Sequence, residues 1–155
     1  MSVFIKIGID PGSVSGAITI IKNGGLQIVG IGSLTEKQLA EVFFQILIDK
    51  QMGEVLCAHI ERVSVFPQQG AVSGFKFGQN YGFLRGCLVN NRIPFKESMP
   101  KGWQKYYSMV RKKTETDKVW KTRLLQVAQN LYPGADIPLF AADSVLLAHS
   151  ALFDD

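Results

Sequence analysis

Three carboxylates stand out by the company they keep. Asp10 closes an apolar run inside IKIGIDPGSVSGAI (Ile5 to Ile18), directly before a Pro-Gly turn. Glu61 follows a second apolar run, VLCAHI (Val55 to Ile60), and Asp143 sits near the start of a third, AADSVLLAHSAL (Ala141 to Leu152). Ionised carboxylates taken out of water repel one another and lose hydration, so a cluster of them persists only beside cations or donors. Mg²⁺ suits such a set because it takes hard oxygen ligands and keeps waters and substrate phosphates in its shell, and Mn²⁺ accepts the same ligands. A pair of such ions about 4 Å apart can activate a water and stabilise the leaving oxygen of a phosphodiester.

Each acid also has a plainer reading. Asp favours the first position of a turn, where its side chain accepts from the backbone ahead. Glu61 is placed to pair with Arg62 or with a basic helix. Asp143 is placed to cap a helix or to complement its dipole. The ordered set of three carries more than any one of them.

Charge distribution points the same way. Arg92 to Arg123 holds ten Lys or Arg against three acids (Glu97, Glu115 and Asp117), a local +7 in a chain of net charge +4. A basic segment beside a slightly acidic remainder fits a polyanion partner, because Lys and Arg that neutralise phosphates release condensed counterions. The alternative is a solvated helix face.

The elements that must position these residues follow from hydrophobic period and turn chemistry. Val3 to Asp10, Ser15 to Lys22 and Leu26 to Ser33 are Ile- and Val-rich runs separated by Pro-Gly-Ser and Asn-Gly-Gly, which predicts a three-stranded antiparallel meander. Ser33-Leu-Thr-Glu36 reads as a capping box opening a helix to Lys50 that buries Leu39, Val42, Phe43, Leu47 and Ile48. The strand ending at Glu61 can then return beside the first through a right-handed crossover, which sets Asp10 and Glu61 at the carboxyl ends of neighbouring parallel strands. A glycine-rich loop (63–74) leads into a helix over Gly74 to Asn90, with Gly78, Gly82 and Gly86 on one stripe. A short strand at Ile93 to Lys96, a brief helix from Pro100, a mobile loop at Arg111-Lys-Lys113, a helix from Thr116 burying Trp120 and Leu124, and an apolar helix from Phe140 to Phe153 complete the expected order.

Bulk properties bound the answer. A chain of 155 residues fits one domain, here 1–155, and buries about two-thirds of its unfolded surface. No apolar run is long enough to span a bilayer and the N-terminus lacks signal-peptide grammar, so a cytoplasmic protein is expected. Cys57 and Cys87, without metal-like spacing, read as reduced core residues, and His59 and His149 as core histidines.

In the order of its motifs the chain resembles the RuvC-type Holliday-junction resolvases of the ribonuclease H-like superfamily, and especially their bacteriophage-type relatives. The resemblance covers most of the chain. It rests on IGIDPGSVSGAI, the strand-end Glu61, FKFGQNYGFLRG (Phe75 to Gly86), Pro100 with Trp103, Lys118 and Lys121 ahead of Leu131-Tyr-Pro133, and AADSVLLAHSAL. It implies an α/β fold with a mixed five-stranded sheet flanked by helices, and a Mg²⁺-dependent homodimer that nicks two strands of a four-way junction symmetrically. Asp10, Glu61 and Asp143 match three of four acidic ligands of that family. The fourth, an acid or histidine three residues before the last aspartate, is Phe140 here, and Asp136 lies beyond Pro138.

Lys118 is the match to a family lysine near the metals, with Lys121 one turn on. Lys76, Lys101, Arg111, Lys112, Lys113 and Lys121 are the expected DNA contacts, and Phe66 is placed to stack on unpaired bases. Two further classes compete with this one. The first is a branched-DNA-binding protein of the same fold without cleavage, for which Phe140 argues. The second is an actin-like ATPase or sugar kinase, whose duplicated domain 155 residues cannot hold.

Overall fold

The computed structural model describes residues 3–151. Its element order is β1 (Phe4–Asp10), β2 (Ala17–Lys22), β3 (Gly25–Gly30), α1 (Glu36–Asp49), β4 (Val55–Glu61), α2 (Ala71–Asn90), β5 (Phe95–Ser98), α3 (Pro100–Tyr106), α4 (Asp117–Leu131) and, after a 3-10 turn at Leu139–Ala141, α5 (Ala142–Ser150). The five strands form one sheet in the order β3-β2-β1-β4-β5. β1, β2 and β3 pair antiparallel, while β4 lies parallel to β1 and β5 parallel to β4. This is the mixed α/β sheet that the sequence predicts, with the crossover through α1 in its expected place.

Period-two alternation assigns the two faces of the sheet. Ile5, Ile7 and Ile9 of β1 with Leu56, Ala58 and Ile60 of β4 point to a core closed by Leu39, Phe43 and Ile46 of α1 and Leu84 and Leu88 of α2. Asp10 and Glu61 have the opposite phase, toward the face where α5 and α4 build a second core around Trp120, Leu124, Val145 and Leu146. The closing helix is buried all round, which explains its lack of amphipathic period.

Several boundaries differ from expectation for local reasons. The capping box at α1 is Thr35 with Gln38, each bonding the other's backbone, in place of Ser33 with Glu36, and the face it presents leaves Ile48 exposed. β5 starts at Phe95 because Arg92 adopts a positive φ of 53° and Ile93 is still tied to the end of α2 through its N–H to Leu88. α2 starts at Ala71, three residues early. Phe140 belongs to the 3-10 turn, so α5 opens at Ala142; the expected continuation over 152–153 lies outside the described residues. The basic loop that begins at Arg111-Lys-Lys113, expected to be mobile, is laced by ion pairs from Arg111 to Asp117 (2.5 Å) and from Arg123 to Glu115 (2.5 Å).

Candidate active site

The site forms where β1, β4 and α5 meet. Ile9 pairs with Ile60 across the parallel strands, so Asp10 and Glu61 follow as the next residues in register. Asp10 also serves the turn: its Oδ1 accepts from the Gly12 N–H at 3.2 Å, and the loop closes with Gly16 N–H donating to Gly12 at 2.9 Å. A Cβ on Gly16 would fall 2.2 Å from the Gly12 carbonyl oxygen and 2.4 Å from that of Asp10, so the turn admits only glycine there. Asn80 of α2 donates to the Pro11 carbonyl at 2.6 Å and braces the loop from the other side.

α5 is set down on the sheet through small residues. Thr19 of β2 and Ser144 share a hydroxyl hydrogen bond of 2.7 Å, and Ser144 is bonded in turn to the Ala141 carbonyl. This holds Asp143, only 7 % exposed, in the first turn of α5, where the helix dipole favours an anion. Its Oδ2 receives the ammonium of Lys121, while its Oδ1 is buried without a hydrogen-bond partner among the described residues.

The electrostatics tie the three acids together. Burial, reinforced by the charge of Asp143, pushes Asp10 up to about 6 against the pull of Lys121 and the Gly12 N–H. Burial, reinforced by Asp10 and Asp143, pushes Glu61 up to about 8, although Trp103 donates its indole N–H to Glu61 Oε2 at 2.7 Å. Burial works against the charge of Lys121, yet Asp143, Asp10 and Glu61 together outweigh it and pull its pKa up. Among the described residues no group of three or more His, Cys, Asp or Glu side chains is placed to hold a metal ion. The chemistry of the donor set nevertheless fits a hard divalent ion: it is all oxygen, its three carboxylates feel one another's charge and that of Lys121, and it includes a buried Asp143 oxygen with nothing to accept from.

A carboxylate with a raised pKa binds its proton more readily in the folded chain than in the unfolded one. Stability of the metal-free protein is therefore expected to fall as pH rises from about 4, where the unfolded carboxyls titrate, through the Asp10 and Glu61 values near 6 and 8. A cation that neutralises the cluster removes that penalty. Millimolar Mg²⁺ is expected to raise the melting temperature by several degrees at about pH 8 and very little at about pH 5. Differential scanning fluorimetry across that range checks it, and a pH-independent shift would uncouple the acids from the ion.

Of the two family-matched lysines, Lys121 reaches the acids. Lys118, one turn earlier, is exposed, and the charges felt by Asp10 and Glu61 do not include it. A cleft of about 1000 Å³ opens from Glu61 between the 62–69 loop and α3, walled by Arg62, Phe66, Phe77, Lys101, Arg111 and Trp120. Phe66 is 67 % exposed at its edge. Arg111 reaches the cleft with its charge shared, since Asp117 holds its guanidinium. Lys76 on α2 and Lys112 and Lys113 in the basic loop are exposed on the surface, outside this cleft.

Trp103 and Arg62 are site neighbours beyond the expected site residues. A buried indole needs an acceptor, so Trp103 carries a signal in the sequence without naming its partner. Asp136 is exposed and outside the cluster, and Phe140 turns its ring over Gly30 of β3, where an added Cβ would lie 3.4 Å from it. His59 faces Ser98 Oγ at 3.3 Å and His149 the Tyr132 hydroxyl at 2.8 Å, both inside packed elements as expected.

This geometry defines a fold of the RuvC type, a ribonuclease H-like α/β sheet. Thermus thermophilus RuvC in complex with a Holliday junction substrate is similar in structure over 99 % of this chain and 94 % of its own, with a TM-score of 0.64 and 13 % sequence identity. A second Thermus thermophilus RuvC structure matches 97 % of this chain and 93 % of its own at a TM-score of 0.59 and 14 % identity. No protein-family model and no curated protein matches the chain.

Proposed function

We propose that this protein is a metal-dependent endodeoxyribonuclease that resolves four-way DNA junctions by paired symmetric nicks, of the bacteriophage-type branch of the RuvC-like resolvases. The observation that carries this reading is that Asp10, Glu61 and Asp143 feel one another's charge, with an unpartnered buried Asp143 oxygen among them, beside a cation-bordered cleft that opens from Glu61. The likeness of fold to a RuvC bound to a Holliday junction supports the substrate class. Such a protein would act on DNA in the cytoplasm of a bacterial host cell. No helix among the described residues is long and apolar enough to cross a membrane.

Asp10, Glu61 and Asp143 would hold the ion. When bound, Mg²⁺ or Mn²⁺ supplies Lewis-acid polarisation of a phosphoryl oxygen and a nucleophile at neutral pH. The chain's own residues do the positioning. Trp103 fixes the Glu61 carboxylate through Oε2, and the Gly12 N–H fixes Asp10. Lys121 stays protonated beside the three acids and offers charge to a phosphate brought against them. Arg62, Lys101 and Arg111 meet the backbone of the strand in the cleft, and Phe66 stacks on a base opened at the branch point. Lys76, Lys112, Lys113 and Lys118 contact flanking arms.

A two-fold junction calls for a two-fold protein. Gly78, Gly82 and Gly86, with Phe75 and Val89 continuing the same stripe of α2, face open space, which suits a second copy there.

The reading is tested by incubating the protein with an end-labelled four-way junction and Mg²⁺ or Mn²⁺: symmetric nicks in opposed strands support it. Retardation without nicks under both metals supports the second reading, a branched-DNA binder, which Phe140 at the fourth ligand position favours. In either case Lys101→Ala and Lys118→Ala are each expected to lower the slope of log affinity against log salt by about 0.9, measured by gel retardation across a salt series. An unchanged slope removes that lysine from the interface.

A further inference from the structure

We infer that this centre is built for one divalent ion per chain, with the Lys121 ammonium supplying the positive charge that a second ion would otherwise bring. The inference rests on the nuclease reading above and concerns how the same site is loaded.

Three features of this chain converge on it. First, Asp143 is divided: Oδ2 is taken by Lys121, and only Oδ1, buried and unpartnered, is left to accept a cation. Second, the residue one turn before Asp143 brings no oxygen. Phe140 lies in the 3-10 turn with its ring over Gly30 of β3, 42 % exposed, and Asp136 beyond Pro138 is out in solvent. Third, the charges balance for one ion. Once a bound cation has all three carboxylates ionised, they and one ammonium leave −2, which a single divalent ion neutralises, whereas a second would leave an excess of +2 in a partly buried site, at the cost that unbalanced buried charge carries. Lys121 is anchored for this role, since α4 is fixed by Trp120, Leu124 and Ala128 in the core beneath α5 and its ammonium is felt by all three acids.

The test is a Mn²⁺ titration of the full chain, read by calorimetry and by the electron paramagnetic resonance of free and bound Mn²⁺, so that no turnover is needed. The wild type is expected to bind one Mn²⁺ per chain. Lys121→Met is expected to bind its Mn²⁺ about tenfold more tightly, because a like charge within a few ångströms has been removed, and Lys121→Gln should behave likewise. Phe140→Asp combined with Lys121→Met is expected to bind two, with the broadened spectrum of a coupled pair. Two ions in the wild type would overturn this inference and leave the nuclease reading standing, as would an unchanged affinity in both Lys121 variants or a single ion in a double variant with native circular dichroism. No Mn²⁺ at all, with Asp10→Asn titrating like the wild type, would overturn both.

Discussion

Asp10→Asn is expected to cut the rate of junction nicking under Mg²⁺ by about 10³-fold or more while leaving junction binding intact. The substitution separates the two roles of this residue. Asn keeps the side-chain oxygen that accepts from the Gly12 N–H, so the turn and the packing of Ile9 beneath it are retained. What disappears is a negative charge next to Glu61 and Asp143, and with it the ligand that the proposed function assigns to a hard cation. Three orders of magnitude correspond to about 4 kcal/mol of transition-state stabilisation, within what a polarising metal ion contributes to phosphodiester hydrolysis. Binding should if anything tighten slightly at low salt, because one charge that repels phosphate has gone. Nick accumulation on a labelled junction and gel retardation of the same junction measure both quantities. An Asn variant that nicks at the wild-type rate would reduce Asp10 to a turn residue.

The parts of the site that are legible in the sequence are those set by short-range rules. The alternation of Ile5, Ile7 and Ile9 against Lys6, Gly8 and Asp10 already puts Asp10 on the face opposite the Ile core, and the same holds for Glu61 beyond Ile60. The meander and crossover then leave little freedom in where those strand ends meet. The different placement of Lys118 and Lys121 is legible in the helical period. At about 100° per residue, the stripe of Trp120, Leu124 and Ala128 has its centre about 60° from Lys121 and about 120° from Lys118, so only Lys121 borders the buried face. The indole bond to Glu61 depends on where α3 docks against β4, across 42 positions of sequence, and no local period encodes that. Boundaries shifted where a single backbone conformation intervened, as at Arg92 with its positive φ.

Gly8→Ala is the second large effect, expected to destabilise the fold by about 3 kcal/mol or more and to abolish nicking in whatever fraction remains folded. β1 and α5 approach so closely at Gly8 that an added Cβ would stand 2.1 Å from the Ser144 carbonyl oxygen and 2.4 Å from the Ala148 nitrogen, both of them backbone. Neither atom can swing aside as a side-chain tip would, so α5 must lift from the sheet. Overpacking of a close-packed core costs about 1–3 kcal/mol where neighbours can adjust, and this contact lies at or beyond that range. A loss of about 3 kcal/mol corresponds to a fall in melting temperature of roughly 6–12 °C for a domain of this length. The catalytic consequence follows from geometry, since the lifted helix is the one that carries Asp143 away from Asp10, and its bond from Thr19 to Ser144 goes with it. A second change at Ala148 to glycine should rescue little, because it clears the Ala148 Cβ at 2.8 Å but leaves both backbone atoms in place. Gly102→Ala in α3, where a Cβ meets nothing within 4 Å, serves as the control and should be neutral or stabilising by up to about 1 kcal/mol. Thermal melts of the three variants decide it: a Gly8→Ala protein as stable as Gly102→Ala would mean that β1 and α5 are not in the contact that brings Asp10 and Asp143 together.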